Sequence, residues 1–130
     1  MQIQIRALSQ PVGGRLREYV ERRLLFALGR FGGRVQRVLV RLEDLNGPRG
    51  GLDKRCQMEV RLAGRGVLVV DVRDSATEPA VSRAADRMAR RVREELAARR
   101  EARRRPRLAP QASSEGNEAL LGGFARMPER

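Results

Sequence analysis

The stretch that decides the fold reads VQRVLVRLE at residues 35–43, where apolar and polar side chains alternate. Successive side chains on a β-strand point to opposite faces, so Val38, Val40 and Leu42 share one side of an extended segment. Charged residues take most of the other side. The stretch therefore predicts a strand with one buried face and one face that meets solvent or a partner.

The same alternation returns twice toward the C-terminus. Residues 55–62 read RCQMEVRL, with apolar side chains at alternate positions, and residues 68–72 read LVVDV, in which Leu68, Val70 and Val72 share one side. The glycine-rich segment 46–51 is typical of a loop, and Gly64-Arg65-Gly66 of a tight turn. Three consecutive strands with short connections predict an antiparallel meander.

Toward the N-terminus, residues 2–6 read QIQIR and predict a further short strand. The period then changes from two to that of a helix between Val12 and Phe31. Leu16, Val20 and Leu24 begin its apolar stripe. Gly32-Gly33 is expected to end this helix.

A second helix is expected after Ser75 or Thr77, either of which can cap its N-terminus. Its apolar stripe consists of Val81, Ala84, Ala85, Met88, Val92 and Leu96. Arg99 and Arg103 stand where the stripe would continue, so the helix should dock on the sheet to about Leu96 and then extend or fray. Pro106 is expected to end it.

The order β-α-β-β-β-α predicts an α+β fold, a four-stranded sheet with two helices packed on one face. Residues 1–105 are expected to form one RNA-binding domain. Residues 106–130, rich in small and polar residues, are expected to be a disordered tail. The apolar patch at residues 120–124 leaves two interpretations open, an inert tail or a segment that orders on a partner.

The net charge is the strongest functional signal. The chain has 28 basic and 16 acidic residues and a net charge of +12, all of it within residues 1–105. Such an excess indicates an anionic partner, of which nucleic acid and anionic membrane are the usual ones. Lys54 is the only lysine. Arginine suits phosphate binding. A GC-rich genome would also explain the preference for arginine over lysine, but it would not explain the net charge.

Composition argues against an enzyme. The chain has no histidine and one cysteine, which removes the usual catalytic triads and most zinc sites. Cys56 lies on the inward side of its strand, as a structural thiol does. The acidic pairs Glu43/Asp44, Asp71/Asp74 and Glu94/Glu95 alternate with arginines and indicate surface ion pairs. We therefore expect no catalytic site, metal, cofactor or small-molecule substrate.

The N-terminus lacks the apolar core of a signal peptide, and no apolar run approaches the length of a membrane span. A single cysteine fits a reducing compartment. We expect a cytoplasmic protein, monomeric, with no membrane partner.

The arginines of the second helix are the main candidate RNA contacts. Arg83, Arg87 and Arg90 lie opposite the apolar stripe, and Arg91 and Arg93 flank them. Lys54, beside the glycine-rich loop, is a further candidate for contact with an RNA backbone. No helix-turn-helix, zinc-finger or basic-zipper pattern is present, so charge alone leaves DNA open.

Aromatic residues are few: Tyr19, Phe26, Phe31 and Phe124, with no tryptophan. Proteins that read single strands stack bases on exposed rings. Tyr19 and Phe31 lie at or near the core stripe of the first helix, so we expect recognition of the backbone and shape of folded RNA rather than base stacking.

The element order, the segment FGGRVQRV at residues 31–38, the stretch at residues 43–60 and the arginine-rich last helix carry a family resemblance. Together they resemble the ribosome hibernation-promoting factor and ribosome-associated inhibitor A family. The short polar segment after residue 105 resembles its short form, which lacks a second domain.

The resemblance implies a fold similar to that of double-stranded RNA-binding domains. It implies a translation inhibitor on small-subunit rRNA, in the cleft where transfer RNA is decoded, that idles ribosomes under stress or in stationary phase. It also implies that Arg22, Arg30, Arg83, Arg87 and Arg90 face rRNA. Two other interpretations stay open, a general structured-RNA or ribosome-assembly module and a subunit that binds an acidic protein.

Overall fold

The computed structural model describes residues 1–8, 12–45, 53–64 and 66–104. In chain order the elements are β1 (Gln2–Ala7), α1 (Gly14–Leu28), a short 3-10 segment (Gly29–Arg34), β2 (Val35–Asp44), β3 (Lys54–Leu62), β4 (Val67–Asp74) and α2 (Thr77–Arg104). The predicted order β-α-β-β-β-α is confirmed. The loop at 46–51, Arg65 and the tail at 106–130 lie outside the described residues.

The four strands form one sheet in the order β1-β2-β3-β4. β1 runs parallel to β2, with Ile5 beside Val40, and the chain between them passes through α1. β2 to β4 form the predicted antiparallel meander, in which Val40 pairs with Met58 and Met58 with Val70. β4 is thus an outer strand of the sheet, next to the start of α2.

Both helices pack against one face of the sheet. The inward residues of β2 to β4 predicted from the alternation are all buried, among them Val38, Met58 and Val70. They share one core with the stripe of α2, of which Met88 and Val92 are fully buried. The burial of apolar surface between sheet and helices is what holds this layered fold together.

The first helix ends earlier than predicted. Regular α-helix stops at Leu28, and residues 29–34 continue in tighter 3-10 turns. Gly32 has a φ of 59°, a left-handed conformation that costs glycine little because it has no Cβ. This turn redirects the chain into β2, so Phe31 packs beside the core from the turn and not from the helix.

The stripe of α2 ends where expected, since Leu96 is its last buried residue. Residues Met1–Ala97 form one compact unit. Residues 98–104, described by themselves, are helical and largely exposed. The predicted domain boundary near residue 105 stays a prediction.

Candidate nucleic-acid interface

Three arginines spaced four residues apart on α2 lie along the outer edge of the sheet. Each donates a hydrogen bond from Nη1 to a backbone carbonyl of β4: Arg83 to Arg73 (3.1 Å), Arg87 to Asp71 (3.5 Å) and Arg91 to Val69 (2.7 Å). Four helical residues rise about 6 Å and two strand residues about 6.6 Å, so the two spacings match. We call these three side chains the arginine row.

Hydrogen bonds to carbonyls orient these guanidinium groups without cancelling their charge. Only Arg83 also meets a carboxylate, with Nη1 3.1 Å from Oδ2 of Asp74. Arg87 and Arg91 are exposed and have no carboxylate partner among the described residues. Since a guanidinium carries five N–H donors, each retains donors for a phosphate.

A second group of arginines surrounds a groove between α1 and α2. The groove has a volume of about 330 Å³ and is lined by Phe26, Ala27, Arg30, Asp86, Ala89, Arg90 and Arg93. We call it the helix groove. Within the described part of the chain, no carboxylate pairs with Arg30, Arg90 or Arg93. Its rim is therefore basic, whereas the two alanines and the phenylalanine make part of its lining apolar.

The one acidic residue of the helix groove is already engaged. Asp86 forms a salt bridge with Arg23, which also donates from Nε to Oγ of Ser82 at 3.1 Å. Arg23 is only 18% exposed. It connects α1 to α2 and offsets the negative charge of Asp86, so the groove retains its positive potential.

Phe26 is an aromatic residue whose exposure was not predicted from the sequence. Its side chain is 81% exposed, and the Arg23 guanidinium lies 5.5 Å from the ring centroid. Tyr19 and Phe31, by contrast, pack against the core. The helical period could have predicted this exposure, because Phe26 falls between the buried positions Leu24 and Ala27 of the apolar stripe and so points away from the sheet.

The other predicted RNA contacts lie apart from these two groups. Arg22 is exposed on α1 but does not line the helix groove. Lys54 pairs with Asp44 at 3.1 Å and with Asp53 at 3.2 Å. The hydrogen bond to Asp44 raises the pKa of Lys54 above its ordinary value. The structure thus brings Arg30, Arg90 and Arg93 together, aligns Arg83, Arg87 and Arg91, and leaves Lys54 with two acidic neighbours.

The open face of the sheet mixes both signs of charge. Nε of Arg55 lies 3.0 Å from both carboxylate oxygens of Asp71, and Nη1 of Arg55 lies 3.5 Å from Oε1 of Glu43. The hydrogen bond from Arg55 lowers the pKa of Asp71, as the one from Arg83 lowers that of Asp74. The predicted surface ion pairing of these carboxylates is therefore seen in the structure.

Cys56 is fully buried on the inward face of β3. Burial raises the pKa of its thiol to about 12, because the thiolate would lose its hydration. Such a thiol is a poor nucleophile at neutral pH, which agrees with a structural role.

The family and structural comparisons agree with this architecture. A family model described as "Sigma 54 modulation protein / S30EA ribosomal protein" matches residues 3–100. The Thermus thermophilus Protein Y N-terminal domain is 26% identical, with a TM-score of 0.62 over 73% of this chain and 99% of that domain. A ribosomal subunit interface protein from Coxiella burnetii shares the fold at 17% identity, with a TM-score of 0.63 over 75% of this chain and 99% of that one. Among curated proteins, no sequence matches this chain.

Proposed function

Because the chain belongs to the sigma 54 modulation protein / S30EA ribosomal protein family, as the resemblance predicts, we propose that it binds the small ribosomal subunit and holds the ribosome idle. Its arginines contact rRNA phosphates in the cleft where transfer RNA is decoded. Occupying that cleft blocks transfer RNA and messenger RNA by volume alone, so translation stops without any bond being made or broken. The protein acts in this way under stress or in stationary phase.

The helix groove is the observation that carries this proposal. Arg30, Arg90 and Arg93 converge on one groove, and the acidic residue beside them is paired with Arg23. Confining like charges in this way costs free energy in the isolated protein, and a polyanion relieves that cost. The arginine row adds Arg87 and Arg91 on another flank of α2, also without carboxylate partners among the described residues.

Binding through such contacts is driven largely by release of the counterions that surround RNA. Each neutralised phosphate adds about 0.7 to 0.9 to the slope of log affinity against log salt concentration. If five arginines each meet one phosphate, raising the salt concentration from 50 to 200 mM weakens binding by about 100- to 500-fold. The proposed complex is therefore tight at low salt and weak at high salt.

The remaining parts of the proposal concern chemistry and location. We propose a non-catalytic protein without cofactor that works as a monomer in the cytoplasm, where ribosomes are found. None of the helices in the described part of the chain combines the length and apolarity needed to cross a membrane.

Sedimentation with purified small ribosomal subunits tests the proposal. At 50 mM salt the protein should travel with the subunits through a sucrose gradient, and at 500 mM salt it should remain at the top. A protein that remains at the top at both salt concentrations does not have the proposed function.

Competition distinguishes ribosome binding from general binding of folded RNA. An excess of a perfectly paired RNA duplex of arbitrary sequence should displace little protein from the small subunit. Equal displacement by the duplex and by unlabelled subunits would favour the general structured-RNA module. Complexes that survive nuclease digestion would favour an acidic protein partner.

A further inference from the structure

We propose that the helix groove holds one unpaired RNA nucleotide, with its base stacked on the ring of Phe26 and its phosphate among Arg30, Arg90 and Arg93. This inference rests on the proposed RNA-binding function and specifies what the same surface selects. It differs from the sequence-based expectation, which held that the protein reads RNA without base stacking.

The placement of Phe26 supports a stacking role. Its ring is 81% exposed, whereas Val20, Leu24, Ala27 and Leu28 of the same helix are buried, so the ring adds little to the core. Exposed apolar side chains are common singly, but this one lines a groove together with Ala27 and Ala89. The short alanine side chains leave open the space beside the ring that a flat base can enter.

Arg23 holds this ring from one side. Its guanidinium carbon lies 5.5 Å from the centroid of Phe26, within the range of a cation–π contact. Arg23 is in turn fixed by Ser82 and Asp86 on α2. The orientation of the ring is therefore constrained before RNA arrives, while most of its surface stays accessible.

The positive charge of the helix groove favours a nucleotide, which carries a phosphate, over an uncharged aromatic compound. Arg30, Arg90 and Arg93 line the groove and are without carboxylate partners among the described residues. A volume of about 330 Å³ is at the small end of the range for sites that hold small organic ligands, so it suits one nucleotide and not a helix. Bases within a duplex have both faces covered, so only an unpaired and unstacked base can use the ring.

Tryptophan fluorescence gives a direct test, because the chain contains no tryptophan. Phe26→Trp places one fluorophore in the helix groove, and stacking of a base on indole quenches its emission. Leu25→Trp is the matched control, since Leu25 is the adjacent residue, is 58% exposed and does not line the groove. Small ribosomal subunits and a single-stranded oligouridylate are the two probes, both at 50 mM salt.

Both probes should quench Phe26→Trp several-fold more strongly than Leu25→Trp. Equal quenching of the two variants overturns the stacking role. Polyglutamate is the comparison polyanion, and quenching of Phe26→Trp by polyglutamate as strong as that by oligouridylate overturns the assignment of a nucleotide.

Affinity measurements distinguish stacking on an aromatic ring from contact with any apolar side chain. Phe26→Ala should weaken binding to the small subunit about 5- to 150-fold, the range expected for loss of one stacked base. Phe26→Tyr should bind like the unmodified protein, whereas Phe26→Leu should resemble Phe26→Ala. Unchanged binding by both Phe26→Ala and Phe26→Leu overturns the inference.

Stability and sedimentation measurements distinguish failure of the nucleotide groove from failure of the proposed function. Because Phe26 is exposed, the thermal unfolding of all these variants should match that of the unmodified protein. If the unmodified protein fails to sediment with small subunits while oligouridylate still quenches Phe26→Trp, the ribosomal function fails and the nucleotide groove stands. If it sediments but Phe26→Ala sediments equally well, the function stands and the groove assignment fails.

Discussion

Arg91 on α2 donates a hydrogen bond of 2.7 Å from Nη1 to the backbone carbonyl of Val69, on the outer edge of β4. An outer strand offers unpaired carbonyl and N–H groups to any other chain that presents a strand. The arginine row covers three carbonyls of that edge, so it protects the sheet while it holds positive charge along α2.

Replacing Arg87 and Arg91 with alanine should therefore expose this edge of the sheet. We expect a loss of about 1 kcal/mol of folding free energy, since each bond lies at the surface. We also expect self-association at high protein concentration. Urea denaturation and light scattering measure the two effects. Arg90→Ala with Arg93→Ala removes the same charge from the helix groove and is the control, and equal self-association of the two double variants would refute edge protection.

Met88 tests the assignment of the faces of α2. It is fully buried, so Met88→Asp places an unpaired carboxylate in the core and should cost about 4 kcal/mol or more. Met88→Leu nearly conserves volume and should cost less than about 1.5 kcal/mol. Both are measured by thermal unfolding followed by circular dichroism. A folded Met88→Asp variant of near-normal stability would mean that α2 is rotated from the orientation described.

The outline of this fold follows from periodicity. Alternation placed Val38, Met58 and Val70 on the buried side of the sheet, and the helical period placed Met88 and Val92 there too, because burial of apolar surface dominates folding. The conformation of residues at the end of an apolar stripe is predicted less well by periodicity. The end of α1 was predicted three residues too late because the apolar period continues to Phe31, whereas Gly29–Arg34 form a tighter 3-10 segment with Gly32 at a positive φ.

The candidate site is less predictable than the core. The sequence indicated that α2 carries outward arginines, but not that Arg87 faces β4 while Arg90 faces α1. That division depends on how the helix is seated between its neighbours. The ion pair of Lys54 with Asp44 likewise depends on strand register, which the separate segments do not encode.

Acid should destabilise the domain through Asp71 and Asp74. Hydrogen bonds from Arg55 and Arg83 lower the pKa of these carboxyls in the folded state. A folded-state pKa below the unfolded value of about 3.9 means that the unfolded chain binds more protons near that pH. The stabilisation is thus complete above about pH 5 and is lost as the pH falls through the lowered folded values.

The double variant Asp71→Asn with Asp74→Asn should be less stable than the unmodified protein at pH 7. It should also lose less stability between pH 5 and pH 2. Urea denaturation at several pH values measures both effects. Glu94→Gln, an exposed carboxylate on α2, is the control. Identical pH profiles for the double variant and the unmodified protein would exclude these two carboxyls as the cause.

The thiol of Cys56 should react only when the sheet opens. It is fully buried, and burial raises its pKa to about 12. At pH 8 we expect a disulfide reagent to modify it at least about 100-fold more slowly in buffer than in denaturant. The control carries Ser75→Cys with Cys56→Ser, which moves the thiol to an exposed position. Equal rates for the two thiols in buffer would contradict the burial.

The salt dependence of binding to small ribosomal subunits tests the central claim most directly. Two triple variants each remove three positive charges: Arg30, Arg90 and Arg93 in the helix groove, or Arg6, Arg37 and Arg41 on the open sheet face, all changed to alanine. The helix-groove variant should bind at least about tenfold more weakly at 100 mM salt, with a salt slope shallower by about 2 to 3. The open-face variant should keep nearly the slope of the unmodified protein. Equal losses in both, or a larger loss for the open-face variant, would contradict the account.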